Sequence, residues 1–91
     1  MTAPGVDDVA VPAQVISLQK RIEIVSRERD RCARLLREAG DEAKALERSG
    51  DKPGADRVAK RMARLRLEVA TAAGEVDTLE SLVAARMARP R

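Results

Sequence analysis

Cys32 is the only cysteine in this sequence of 91 residues, and its thiol is the first side chain to consider as a nucleophile or a metal ligand. The chain contains no histidine, so no imidazole is at hand to activate the thiol as a nucleophile or to complete a zinc site with it. The sequence also lacks a glycine-rich phosphate loop, a nucleophile elbow and a pair of catalytic carboxylates. It therefore predicts a protein that is not an enzyme and that needs no cofactor, metal or small-molecule ligand.

The C-terminal arginines Arg86, Arg89 and Arg91 are the candidates for contact with phosphate or with an acidic partner. A net charge of +3 and a pI of about 9.6 favour nucleic acid as that partner. Acidic and basic residues are mixed in both halves of the chain, however, and no aromatic residue is present for bases to stack on. A small basic dimer that binds nucleic acid as a regulator is therefore the second hypothesis on function, not the first.

A short breaker, the segment 49–54 (Ser-Gly-Asp-Lys-Pro-Gly), separates two long amphipathic patterns. Gly50 suits the end of a helix, Asp51 the cap of the next helix and Pro53 its first turn. The predicted helices cover about 12–48 and 54–88, within a hairpin that spans 12–89. An extended tail at 1–11 precedes them and a basic tail at 89–91 follows. A connection this short makes the helices antiparallel neighbours, so the predicted fold is all-α, an antiparallel two-helix coiled-coil hairpin.

Apolar residues recur at intervals of three and four along both helices, as in a heptad seam. Cys32 falls in this seam and is interpreted as a small hydrophobe. Arg29 interrupts it and is interpreted as a residue that snorkels or forms an ion pair at the rim and so fixes the register, with Glu75 across the hairpin and Glu28 beside it as the candidate counter-charges. Alternatively, Arg29 reaches a partner. The predicted seam consists of Val15, Leu18, Ile22, Val25, Cys32, Leu36, Leu46, Val58, Met62, Leu65, Val69, Val76, Leu79 and Val83.

The order of the charges supports a chain that folds back near Lys52. Helix 2 is basic in its first half and acidic in its second, and helix 1 has the opposite order, so antiparallel packing places unlike charges side by side. Around Cys32, Ala33, Ala72 and Ala73 every facing residue is small. At this waist we expect the helices either to approach closely or to leave room for a third element.

A two-helix chain buries little surface on folding. Without a disulfide or a metal, we expect oligomerisation or docking on a partner to stabilise it. Five large apolar residues that lie off the predicted seam are the candidate partner face: Ile16, Ile24, Leu35, Leu67 and Leu82. The first hypothesis is a structural or adaptor subunit that packs helix to helix with itself, with another protein or with both. No signal peptide or membrane span is evident, so we expect it in the cytoplasm or in a larger particle assembled there, such as a virus particle. No stretch of the sequence carries the signature of a known family.

Overall fold

The computed structural model describes residues 12–88, which form a hairpin of two α-helices. Helix α1 comprises Ala13–Arg48 and helix α2 comprises Lys52–Met87, 36 residues each. At 1.5 Å per residue, each helix is roughly 54 Å long. The predicted all-α antiparallel hairpin is confirmed. The predicted tails, with Arg89 and Arg91, lie outside the described residues.

The bend between the helices is shorter than predicted because both helix ends are capped by neighbouring residues. The Gly50 N–H donates to the Glu47 carbonyl and the Asp51 N–H to the Leu46 carbonyl, which is the Schellman arrangement at the end of α1. Gly50 takes a φ of 81°, a conformation that favours glycine. These hydrogen bonds satisfy two carbonyl groups that would otherwise have no hydrogen-bond donor at the end of the helix.

Helix α2 begins at Lys52, before the predicted start at Gly54, because Asp51 already caps it. An Asp51 side-chain oxygen accepts a hydrogen bond of 3.0 Å from the Gly54 N–H. A Cβ atom at Gly54 would collide with the Asp51 carboxylate, so a larger residue there would displace the side chain that caps the helix. At the other end of the hairpin, α1 begins one residue later than predicted, with Pro12 as the residue before the helix.

The predicted seam lies in the core, since every one of its residues is buried or half-buried, and the alanines Ala39, Ala55 and Ala72 are buried with it. One buried cluster contains Cys32, Ala39, Val58 and Leu65, with half-buried Leu, Met and Val side chains packed around it. A second cluster, further from the bend, is formed by Val25, Ala72 and Val76. The apolar spacing therefore identified the inner face of both helices.

The charges across the hairpin agree with the predicted register near the bend and depart from it further away. Arg61 pairs with Glu42, and these residues are almost equally far from Lys52, as predicted. Neither candidate counter-charge pairs with Arg29, because Glu28 pairs with Arg31 and Glu75 pairs with Arg21, N to O 2.9 Å. Arg29 turns to its neighbour Asp30 instead, at 3.2 Å. Arg21 and Glu75 lie on the same side of the hairpin, which allows them to pair. The half-buried Arg29 extends its side chain from the seam towards Asp30.

No helix within residues 12–88 is both long enough and apolar enough to cross a membrane.

Candidate docking groove

An open groove of about 530 Å³ runs between the helices at the predicted waist. We call it the waist groove. It opens on one flank of the hairpin, and its exposed rims carry two apolar side chains, Ile24 of α1 and Leu67 of α2. The residues that line it are Arg21, Ile24, Val25, Glu28, Cys32, Leu67, Glu68, Thr71, Ala72 and Glu75.

The floor of the waist groove is formed by three buried residues that are small or of moderate size, Val25, Cys32 and Ala72. These short side chains leave the flank beside them open, and the other expectation at the waist, a close approach of the two helices, stays a prediction. The floor residues are already buried, so the hydrocarbon that a packed helix would remove from water is mainly that of Ile24 and Leu67.

The walls of the waist groove are predominantly acidic, with three carboxylates and one guanidinium. Two of the carboxylates have cationic partners: Glu75 pairs with Arg21, and Glu28 pairs with Arg31 one turn along α1. The third, Glu68, has no ion-pair partner among residues 12–88. The groove therefore presents an uncompensated negative charge beside its apolar floor.

The hydrogen bond from Arg31 lowers the pKa of Glu28, and the nearby guanidinium charge acts in the same direction. A carboxyl group whose pKa is lowered by folding stabilises the folded state above its unfolded pKa. That contribution is lost as the pH falls through the lowered value. Glu28 therefore remains ionised at neutral pH, and the acidic character of the groove persists there.

The Cys32 thiol lies at the floor between two of these carboxylates. Its one S–H has two acceptors within hydrogen-bond distance of the sulfur, Glu68 Oε1 at 3.3 Å and Glu28 Oε2 at 3.6 Å. Burial raises the pKa of Cys32, and both the hydrogen bonds and the negative charges of the two glutamates raise it further. The thiol is thus held in its neutral form, which is the opposite of what a nucleophile or a metal ligand needs.

We expect Cys32 of the folded chain to react with iodoacetamide more slowly than the same cysteine of the chain in urea, by roughly tenfold or more, because alkylation requires an accessible thiolate. Mass spectrometry of samples quenched over time, at one pH, measures both rates. The exposed thiol of a Cys32→Ser, Thr71→Cys variant, on the open wall of the same groove, is the matched control and should react fast. Equal rates for folded and unfolded chain would contradict the buried, protonated thiol.

The five residues of the predicted partner face do not form one surface. Ile24 and Leu67, with 58% and 67% of their surface exposed, line the waist groove. Leu35 is half-buried and packs against the core cluster, so it widens the hairpin contact. Ile16 and Leu82 are exposed but do not line the groove. Of the predicted C-terminal arginines, only Arg86 is described; it is exposed, and it donates weakly to the carbonyl of Leu82, at 3.5 Å.

The polar wall of the groove was not predicted as a site. On α2 it consists of Glu68, Thr71 and Glu75, which follow one another at intervals of three and four along one flank of the helix. Arg21 and Glu28, seven residues apart, form the corresponding edge of α1. The signal that identifies these residues is their heptad position beside the seam, combined with the small residues of the waist.

A basic hollow lies between the waist groove and the bend. Arg57, Arg61 and Arg64 of α2 line it, together with the acidic residues Glu42 and Asp51. Arg61 is paired with Glu42, whereas Arg57 and Arg64 have no ion-pair partner among residues 12–88. From the bend outwards, α2 thus presents first a basic and then an acidic stretch.

Comparison of the chain with protein-family models, curated proteins and solved structures found no match. Within the part of the chain that the structure describes, no group of three or more His, Cys, Asp or Glu side chains is arranged to hold a metal ion. The function is therefore argued from the waist groove itself.

Proposed function

We propose that the chain is a non-enzymatic helical-hairpin interaction protein that acts as a structural or adaptor subunit, and that the waist groove is where a partner helix packs. The single observation that carries the proposal is that two exposed apolar side chains, Ile24 and Leu67, border one groove with a small apolar floor. Amphipathic helices bind in grooves of this kind by inserting side chains spaced three and four residues apart.

The open side of the groove fits a helix better than a small ligand. A ligand pocket encloses most of its ligand, whereas the waist groove is open to solvent on one flank of the hairpin. Two helices pack along one contact only, so a third or fourth helix over the waist would bury the exposed Ile24 and Leu67, as the helices of a bundle bury their apolar side chains. Binding would therefore also stabilise the hairpin.

Nucleic acid is the second candidate because Arg57 and Arg64 are without ion-pair partners among the described residues and face one hollow. The same hollow contains the carboxylates of Glu42 and Asp51, which reduce its attraction for phosphate. A phosphate-binding surface would also show a steep loss of affinity with salt.

The test is the molar mass of the purified chain by light scattering, alone and after recovery from cell extract. We expect a complex in at least one of the two conditions, with a defined stoichiometry. Substitution of Leu67 by glutamate should abolish it, because a carboxylate would then lie in the apolar contact. A monomer without a partner in either condition would overturn the proposal. A complex with nucleic acid alone, lost at high salt, would replace it with the second candidate.

A further inference from the structure

We propose that the partner at the waist groove is a second copy of this chain, packed antiparallel so that α2 lies against α2 about a two-fold axis. The inference rests on the proposed function, that the waist groove is a site for helix packing, and goes further by naming the occupant. In such a dimer the same surface is used by both copies, so each contact occurs twice.

The first argument is charge complementarity along one flank of α2. The flank is basic near the bend, where Arg57 and Arg64 line the hollow, and acidic further out, where Glu68 and Glu75 line the groove. When a second copy runs in the opposite direction, its basic stretch lies over the acidic stretch of the first, and the reverse holds as well. A parallel copy in register would place like charges together.

The second argument is the alignment that the apolar residues select. If Leu67 of one copy inserts over Ala72 of the other, at the small-residue floor, then Arg64 falls level with Glu75. The same alignment places Glu68 level with Thr71. It also sets Lys52 opposite Met87, so that α2 of one copy overlaps α2 of the other from end to end. This register therefore satisfies the apolar contact, the contact between Arg64 and Glu75, and full overlap of the two α2 helices. It also brings the two copies of Glu68 to about 5 Å from each other along the axis, and no cation of α2 lies level with them.

The third argument is the size of the contact. About the same two-fold axis α1 of one copy lies against α1 of the other, so the contact is two helices wide. Each helix is about 10 Å across and roughly 54 Å long, which gives on the order of 1,000 Å² per copy. Stable complexes bury about 800 Å² on each partner. Full overlap therefore supplies the area that a stable dimer needs, and the exposed Leu67 lies near its centre.

Single cysteines on α2 test this arrangement, in a Cys32→Ser background that keeps a hydrogen-bond donor between the two glutamates. Thr71 and Thr78 are both exposed and lie seven residues apart, on the same side of the helix. In the proposed dimer the two copies of position 71 are offset by about 5 Å along the axis, and those of position 78 by about 25 Å.

With a short bismaleimide crosslinker, Thr71→Cys should therefore give roughly tenfold more covalent dimer than Thr78→Cys, its matched control. Circular dichroism confirms that both variants fold, and Cys32→Ala replaces the background if Cys32→Ser does not. Equal crosslinking at both positions would indicate a parallel pair and would overturn the inference.

Two further outcomes separate this inference from the proposed function. In the first outcome neither position crosslinks, the purified chain is a monomer, and a different protein binds to it unless Leu67 is replaced by glutamate. The inference of a second copy is then wrong, and the proposed function of the groove in helix packing is retained. If the chain is a monomer and no protein binds it, both are wrong.

Discussion

Leu65→Ala is expected to lower the free energy of unfolding of the hairpin by about 3 kcal/mol. Leu65 is only 9% exposed and belongs to the buried cluster with Cys32, Ala39 and Val58. Its removal leaves a cavity at the single contact between two helices, and no further layer can close over it. Urea denaturation followed by circular dichroism measures the change, at a concentration low enough that self-association adds no stability.

Leu67→Ala is the matched control, the same substitution two positions along the same helix. Leu67 is 67% exposed, so its loss should change the stability of the isolated hairpin by less than about 0.5 kcal/mol. Equal effects of the two substitutions would mean that α2 does not bury the predicted face. A large effect of Leu67→Ala alone would mean that the inner face of α2 is the one opposite to that described here.

The burial of Leu65 and the exposure of Leu67 were predictable from the sequence, because helical periodicity alone determines which of the two faces the other helix. Leu65 continues the intervals of three and four that run from Val58 to Leu79, and Leu67 does not. The bend was equally predictable, since a positive φ at Gly50 and the cap at Asp51 are local backbone chemistry. These features require no knowledge of what faces them across the hairpin.

The ion pairs were not predictable to the same degree. Arg29 has several acids within reach, and exposed pairs differ by only tenths of a kcal/mol, so sequence distance does not select among them. In the structure Arg29 contacts Asp30, while Arg21 takes Glu75 from about two helical turns further along the flank. The order of the charge blocks predicts that the two helices are antiparallel. The partner of each ion pair depends in addition on the side of the hairpin to which each side chain points.

The waist groove was predictable only in part from the sequence. The small residues Cys32 and Ala72 indicated a narrow place in the seam, but two outcomes followed equally from their size. Only the packed helices show that the flank stays open and that Ile24 and Leu67, on different helices, border the same space. A site built from both helices depends on how each is rotated about its axis, and the heptad pattern fixes that rotation only approximately.

Leu67→Glu is expected to weaken self-association by about a thousandfold, the equivalent of about 4 kcal/mol. In the proposed dimer each copy inserts Leu67 over the floor of the other, so one substitution removes two apolar contacts. Each new carboxylate also enters a groove that already contains Glu28, Glu68 and Glu75, which adds repulsion. Sedimentation equilibrium of the wild-type and variant chains over a range of concentrations gives both dissociation constants.

Ile16→Glu is the matched control, because it places the same carboxylate at another exposed isoleucine or leucine position. Ile16 is 43% exposed, lies in the first turn of α1 and does not line the groove, so its replacement should leave the dissociation constant within about threefold of wild type. Equal weakening by both substitutions would show that overall negative charge opposes association. Equal indifference, with a stable wild-type dimer, would place the interface on the other flank of the hairpin. Only a loss of self-association that is confined to Leu67→Glu is consistent with the proposed dimer, in which Leu67 of each copy packs over Cys32 and Ala72 of the other.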